Sequence, residues 1–269
     1  MRFLILGDLH GRLKMINTIT EKHQEIDYVL QCGDFGIWNK KDFENWGYII
    51  CNKHHYDVTD TMLPFEEIVD GNYIFNKPII FITGNHENFD YRDSIDWDIM
   101  FKKYSIYFIK NSLNVAIPNK ELSITGLNGC YSYKIYSGGY QKEKRLKCKP
   151  QTPPHIEKYL NEIMGRDSRG RFTSEDIEKL KKIKTDILLL HEYPLEVLNE
   201  GELSIKQKPG CSPVSELIEE MQPKFAFAGH MHIWSEKQFG KTKFIGLPSI
   251  ERGYIILDTD NCEITKYET

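Results

Sequence analysis

Short apolar runs recur along the chain, and each gives way at once to glycine and polar residues. Phe3 to Leu6 runs into Gly7-Asp8, Tyr28 to Leu30 into Gly33-Asp34, and Ile79 to Ile82 into Gly84-Asn85-His86. Ile187 to Leu190 leads into His191, and Phe225 to Ala228 into Gly229-His230. Apolar runs without polar alternation predict strands buried on both faces, as in parallel or mixed α/β sheets. Between the first two runs, "LKMINTITEKHQE" sets Leu13, Ile16 and Ile19 at helical spacing, so the chain opens β-α-β. From about Leu113 the pattern turns to alternation: "LNVAIPNKELSITGLNG" places a Pro-Asn-Lys turn between two short runs and predicts a hairpin. A helix is predicted over Ser212 to Met221, and successive strands with turns at Pro248, Gly253 and Asp260-Asn261 close the sequence.

The strand ends carry the chemistry. Asp8 and His10, Asp34, Asn85 and His86, His191, and His230 with His232 each sit where a strand gives way to a loop. The carboxyl ends of strands in open α/β sheets are where ligands bind, because loops converge there on a rigid base. Five of the nine histidines fall in these places. A set of carboxylate, amide and imidazole donors suits transition metals or zinc better than calcium, which prefers oxygen alone. In extended backbone, residues i and i+2 face the same way, so Asp8 with His10, and His230 with His232, are each expected to address one site. His23, His54, His55 and His155 lie outside the pattern and are read as ordinary histidines. The aromatic residues Trp38, Phe43, Trp46 and Tyr48 are read as core.

Composition changes this picture little. The 269 residues are 40% hydrophobic and 28% charged with a net charge of -4, as in ordinary globular proteins, and nothing in the totals calls for nucleic acid or a membrane. No segment approaches the roughly 18 apolar residues of a membrane span. Six scattered cysteines, without a CxxC, suggest neither a disulfide framework nor a thiolate zinc site. Together with an N-terminal apolar run too short for a secretory leader, they predict a cytoplasmic protein. Charge is informative only locally. Residues 134 to 184 hold fourteen Lys and Arg against seven acids. "TSEDIEKLKKIK" accounts for part of this as a helix with acids first and lysines last, the order the helix dipole favours. We therefore expect one domain over residues 1–269, with a basic Tyr/Lys-rich insertion at about 131–184. Lys144 and Arg145 are candidate phosphate contacts. Tyr133 is a candidate base-stacking residue, together with Tyr131, Tyr136 and Tyr140. The plainer alternative is a solvated lysine-rich loop whose tyrosines cover the core.

The phrases "GDLHG", "GDFG", "GNHE", "LLLHEYP" and "GHMH" resemble, in order, the five signature blocks of the calcineurin-like metallophosphoesterases. The resemblance implies a four-layer α/β/β/α sandwich and two divalent metal ions, manganese, iron or zinc. It implies that Asp8, His10 and His232 hold one ion, that Asn85, His191 and His230 hold the other, and that Asp34 bridges them. His86 would stand unliganded beside the substrate as general acid, with Glu87 either orienting it or merely starting a helix. Arg12 would reach a substrate phosphate or cap the following helix. The implied reaction is hydrolysis of phosphomono- or phosphodiesters by metal-activated hydroxide.

The second block, "GDFGIWN", lacks the extra Asp and Arg of the GDYVDRG found in Ser/Thr protein phosphatases. This weighs against a phosphoprotein phosphatase; a broad-specificity phosphatase acting on small metabolites stays as the alternative reading. A non-catalytic metal-binding adaptor fits less well, because the full donor set and His86 are retained. "CGDFG", the insertion after "GLNG", and "SPVSELIEEMQPKFAFAGHMH" resemble RNA lariat debranching enzymes, although many of those carry Cys where this chain has Asp8. The resemblance implies a nucleotide or nucleic-acid substrate.

Overall fold

The computed structural model describes residues 1–43, 59–111, 113–118, 120–137, 168–197 and 210–269. Lys144 and Arg145, Tyr140, Trp46, Tyr48 and most of the basic insertion lie outside the described residues.

The predicted apolar runs form the centres of two six-stranded sheets. In the first, β1 (Arg2–Leu6), β2 (Tyr28–Cys32), β3 (Ile79–Ile82) and β4 (Ile106–Phe108) run parallel. β11 (Gly253–Asp258) pairs antiparallel with β1, and β12 (Glu263–Glu268) closes that edge. In the second sheet, β6 (Ser123–Leu127), β7 (Ile187–Leu190), β8 (Phe225–Ala228) and β10 (Thr242–Gly246) are the parallel centre. Antiparallel edges are added by β5 (Asn114–Ala116), the first arm of the predicted hairpin, and by β9 (Ser235–Phe239). Gly253 opens β11 rather than forming a turn; the bend lies just before it, at residues 250–252.

Side-chain alternation explains why the runs are apolar throughout. Phe3 and Ile5 of β1, Leu30 and Cys32 of β2 and Ile80 and Ile82 of β3 point between the sheets. There they meet Ile187 and Leu189 of β7 and Phe225 and Phe227 of β8. The intervening residues Leu4, Leu6, Val29, Ile79 and Phe81 face an outer layer with Ile16 and Ile19 of the helix Lys14–Lys22. On the other sheet, Leu188, Leu190, Ala226 and Ala228 pack against the helices Ser174–Leu180 and Ser212–Met221. The result is the expected α/β/β/α sandwich, each sheet being apolar on both faces. The helix Ser174–Leu180 starts on a capping box between Thr173 and Asp176, which satisfies backbone donors otherwise left unpaired. Among the described residues no helix is long and apolar enough to cross a membrane.

The parallel strands end level with one another. Leu6 is in register with Gln31 and Cys32 with Ile82, while Leu127, Leu190, Ala228 and Gly246 are aligned across the second sheet. The loops leaving these strands are thereby delivered to one end of the sandwich.

Phe227 is fully buried between the sheets. Its replacement by Ala should lower unfolding free energy by about 3–5 kcal/mol, the range for deleting a buried aromatic ring. Urea unfolding at unchanged slope checks this; a loss under about 1 kcal/mol would contradict the two-sided packing.

Candidate metal centre

Asp8 lies two residues beyond β1, Asp34 two beyond β2 and Asn85 three beyond β3. His191 follows β7 directly and His230 lies two beyond β8. The chain does not present these groups from extended backbone, as the i and i+2 reading expected. His10 (φ 45°), Asp34 (52°), His230 (66°) and His232 (55°) all adopt left-handed conformations, which cost a non-glycine residue of order 1–3 kcal/mol each and cluster at functional sites. The tight turns aim Asp8 and His10 at one cluster, but they send His230 and His232 to different ones. Two glycines make the close approach possible. A Cβ on Gly84 would overlap Asp34 Oδ1 and stand 2.5 Å from His191 Nε2, and one on Gly229 would overlap Asp8 Oδ1.

Three overlapping groups of ligand atoms result: Asp8, His10 and His232; Asp8, Asp34 and His191; and Cys130, His191 and His230. Within each group the atoms lie within 4.8 Å of one another. His232 Nε2 is 2.6 Å and His10 Nε2 3.6 Å from Asp8 Oδ2. Asp34 faces both ways, its Oδ2 3.8 Å from His10 Nε2 and its Oδ1 3.4 Å from His191 Nε2. Asn85 Oδ1 lies 3.2 Å from His191 Nε2. His191 Nδ1 donates to the Cys32 carbonyl at 2.9 Å. Since a carbonyl can only accept, that bond leaves the Nε2 lone pair of the neutral ring facing the centre.

Asp8 and Asp34 are each only 1% exposed, and their ion-pair partners among the described residues are histidines. Burial opposes ionisation of Asp8, but the field of His232 and bonds from His10 and His232 hold its carboxyl below the usual range. Asp34 is lowered in the same way, chiefly by His191 and His86. The histidines compensate. Burial acts against charge on His191, yet Asp34 and Cys130 raise it well above its ordinary value. His230 is raised to about 9 despite burial, by Cys130 and Glu192. His10 too is raised against burial, by Asp8 and Asp34. Two buried carboxylates here draw protons onto neighbouring imidazoles, and divalent cations would supply the same positive charge while displacing those protons. The donor set therefore fits metal, and the buried His10 Nδ1, which has no hydrogen-bond partner, marks a polar network left incomplete.

His86 stands at the edge of this cluster. Its N–H donates to Asp34 Oδ1 at 2.8 Å, its carbonyl accepts from Trp38 Nε1 at 3.0 Å, and its buried Nδ1 has no hydrogen-bond partner. Burial pulls its ring down to about 4, Asp34 opposing and His10, His230 and His191 reinforcing. Glu87 neither orients His86 nor starts a helix. Its carboxylate accepts from the N–H groups of Phe35, Gly36 and Ile37 at 2.8, 3.0 and 2.7 Å, bracing the loop that follows Asp34. The next helix, Phe89–Ser94, is capped by Asn88 instead. Arg12 is buried, with Nη2 3.3 Å from Glu251 Oε1. Tyr133 is 73% exposed, whereas Tyr131 and Tyr136 pack on each other and on Phe172.

Sequence reasoning missed Cys130 and Glu192. Cys130 lies three residues beyond β6 and obeys the same strand-then-glycine grammar, in "GLNGC", which was the available signal. Glu192 accepts from the N–H groups of Tyr131 and Tyr193, with Oε2 4.0 Å from His230 Nε2.

The family model for calcineurin-like phosphoesterases matches residues 1–234. The chain belongs to the calcineurin-like phosphoesterase family. Within it, the chain is 26% identical over 256 residues to the lariat debranching enzyme of Arabidopsis thaliana, covering 86% of this chain and 54% of that protein. It is 23% identical to the human lariat debranching enzyme, covering 87% of this chain and 42% of that one. For the Entamoeba histolytica enzyme identity is again 23%, with 91% and 68% covered. The chain thus spans about half the length of its plant and human relatives. A crystal structure of a Thermus thermophilus protein shares the fold, with a TM-score of 0.58 at 11% identity over 99% of this chain and 98% of that one.

Glu87→Ala strips acceptors from three buried N–H groups, each worth about 1–3 kcal/mol when left unpaired. We expect a loss of at least about 3 kcal/mol in urea unfolding, together with weaker zinc binding by calorimetry. Unchanged stability would refute the bracing role.

Proposed function

We propose that this chain hydrolyses phosphate esters, by preference phosphodiesters of nucleotide or nucleic-acid type, using two divalent ions. The observation that carries this reading is the pair of buried carboxylates, Asp8 and Asp34, set among converging imidazoles at the level ends of five parallel strands. Asp8, His10 and His232 would hold one ion and Asn85, His191 and His230 the other, with Asp34, which turns an oxygen toward each cluster, shared between them. Manganese, iron and zinc all suit such donors. When bound, such an ion pair offers positive charge to phosphoryl oxygens and lowers the pKa of an attacking water.

The remaining tasks fall to the chain itself. The His191 bond to the Cys32 carbonyl fixes the ring's tautomer. The Asp34 bond from the His86 N–H ties the bridging carboxylate to the acid. Burial favours the neutral form of the His86 ring. An incoming phosphate anion beside it would favour its charged form. From there the ring donates to the leaving alkoxide, a step typically contributing 10²- to 10⁴-fold.

Kinship with lariat debranching enzymes and the local basic charge support a nucleic-acid ester. In this reading Tyr133 stacks on a base and Lys144 and Arg145 meet phosphates. Arg12 meets a phosphate only in competition with Glu251. We take residues 1–269 as one catalytic unit. We place it in the cytoplasm, where the free thiols Cys32, Cys130, Cys211 and Cys262 persist.

His86→Ala should retain two ions per chain by elemental analysis yet lose about 10²- to 10⁴-fold in kcat on esters with poor leaving groups. Little loss is expected on bis-p-nitrophenyl phosphate, whose leaving group needs no proton. Equal rates for variant and parent on both substrates would sink the acid role.

A further inference from the structure

The two ends of the metal centre do not offer the same chemistry. Around Asp8, His10, His232 and Asp34 the donors are oxygen and nitrogen only. Around His191 and His230 a sulfur joins them. Cys130 is 2% exposed, its Sγ–H donates to Asn85 Oδ1 at 2.8 Å, and its sulfur lies 3.4 and 3.6 Å from the two ring nitrogens of His230. The position is built rather than incidental. The Cys130 N–H donates to the Gly170 carbonyl at 3.0 Å, and the Cys130 carbonyl accepts from Phe172 at 3.4 Å. One residue earlier, Gly129 donates to the Thr83 carbonyl at 2.8 Å, which ties the segment to the exit of β3 where Asn85 sits.

We propose that Cys130 is a thiolate ligand of the ion held by Asn85, His191 and His230, making the dinuclear centre asymmetric. The inference rests on the two-ion reading above and assigns a residue that the sequence, lacking any CxxC, did not suggest. Together with the bridging Asp34 oxygen, the Cys130 sulfur, the Asn85 oxygen and two imidazole nitrogens would give this ion a mixed set of the sulfur, nitrogen and oxygen donor types that zinc takes. Sulfur also shifts preference toward zinc, cobalt and iron and away from manganese and magnesium, whereas the all-oxygen-and-nitrogen set discriminates less. On binding, the S–H bond breaks, its electron pair forms the metal–sulfur bond, and the proton is released to water. With Asp8 and Asp34, the thiolate supplies a third negative charge against the four positive charges of two divalent ions.

Cobalt(II) titrated into the full chain tests this. The parent should bind two equivalents and develop the intense near-ultraviolet absorption of a thiolate-to-cobalt transition. Cys130→Ser should lose that band and bind its second zinc on the order of tenfold or more weakly, with manganese affinity little changed. Two bound cobalt ions without the band in the parent, or a band that survives in Cys130→Ser, would show that Cys130 only donates a hydrogen bond to Asn85. A parent that binds no cobalt overturns this inference and the two-ion reading together. X-ray absorption of the zinc-loaded parent checks the ligand without any variant: a sulfur scatterer at about 2.3 Å is expected, and its absence contradicts the proposal.

Discussion

Two carboxylates, Asp8 and Asp34, are buried side by side at the ends of adjacent parallel strands, and much of the structure exists to keep them there ionised. A carboxylate taken from water loses several kcal/mol of hydration unless opposite charge and hydrogen bonds replace it. The backbone N–H groups of His230 and His86 supply part of that, at 2.7 and 2.8 Å. The imidazoles supply the rest: against burial, Asp8 and Asp34 raise His10, and Asp34 with Cys130 raises His191, above the ordinary imidazole range. Glycines at 84 and 229, four left-handed donor residues and the Glu87 brace all accompany the crowding of these groups into one small volume.

The sandwich divides the labour between its sheets. The exits of the first sheet carry Asp8, His10, Asp34 and Asn85, and those of the second carry Cys130, His191, His230 and His232. Two of the three donor groups among the described residues draw on both sheets. The bond from His191 to the Cys32 carbonyl crosses the interface at the site itself, so packing between Phe227, Leu189 and Ile82 is also what sets ligand geometry. Sites built on rigid strands hold such tolerances better than loops do.

Most of this was legible in the sequence, because strands buried on both faces announce themselves as unbroken apolar runs and the donors come directly after them. Asp8, His10, Asp34, Asn85, His191, His230 and His232 all converge. Local backbone conformation was less legible: Asp8 with His10 and His230 with His232 read as extended pairs, yet His10, His230 and His232 all adopt left-handed conformations. Partnerships between distant strand ends were not legible either. Cys130 meets Asn85 from 45 residues away and Glu87 braces Phe35 from 52 away, and no spacing encodes either contact. For Tyr131 and Tyr136 the sequence left base stacking and core cover both open, and the structure packs each of them on Phe172.

The central claim is that one end of the sandwich holds two divalent ions with Asp34 between them. Anomalous diffraction from crystals grown with zinc tests it most directly. Two peaks about 3.5–4 Å apart are expected, one beside Asp8, His10 and His232 and the other beside Asn85, His191 and His230. A single peak, or peaks lying away from Asp34, would contradict the account.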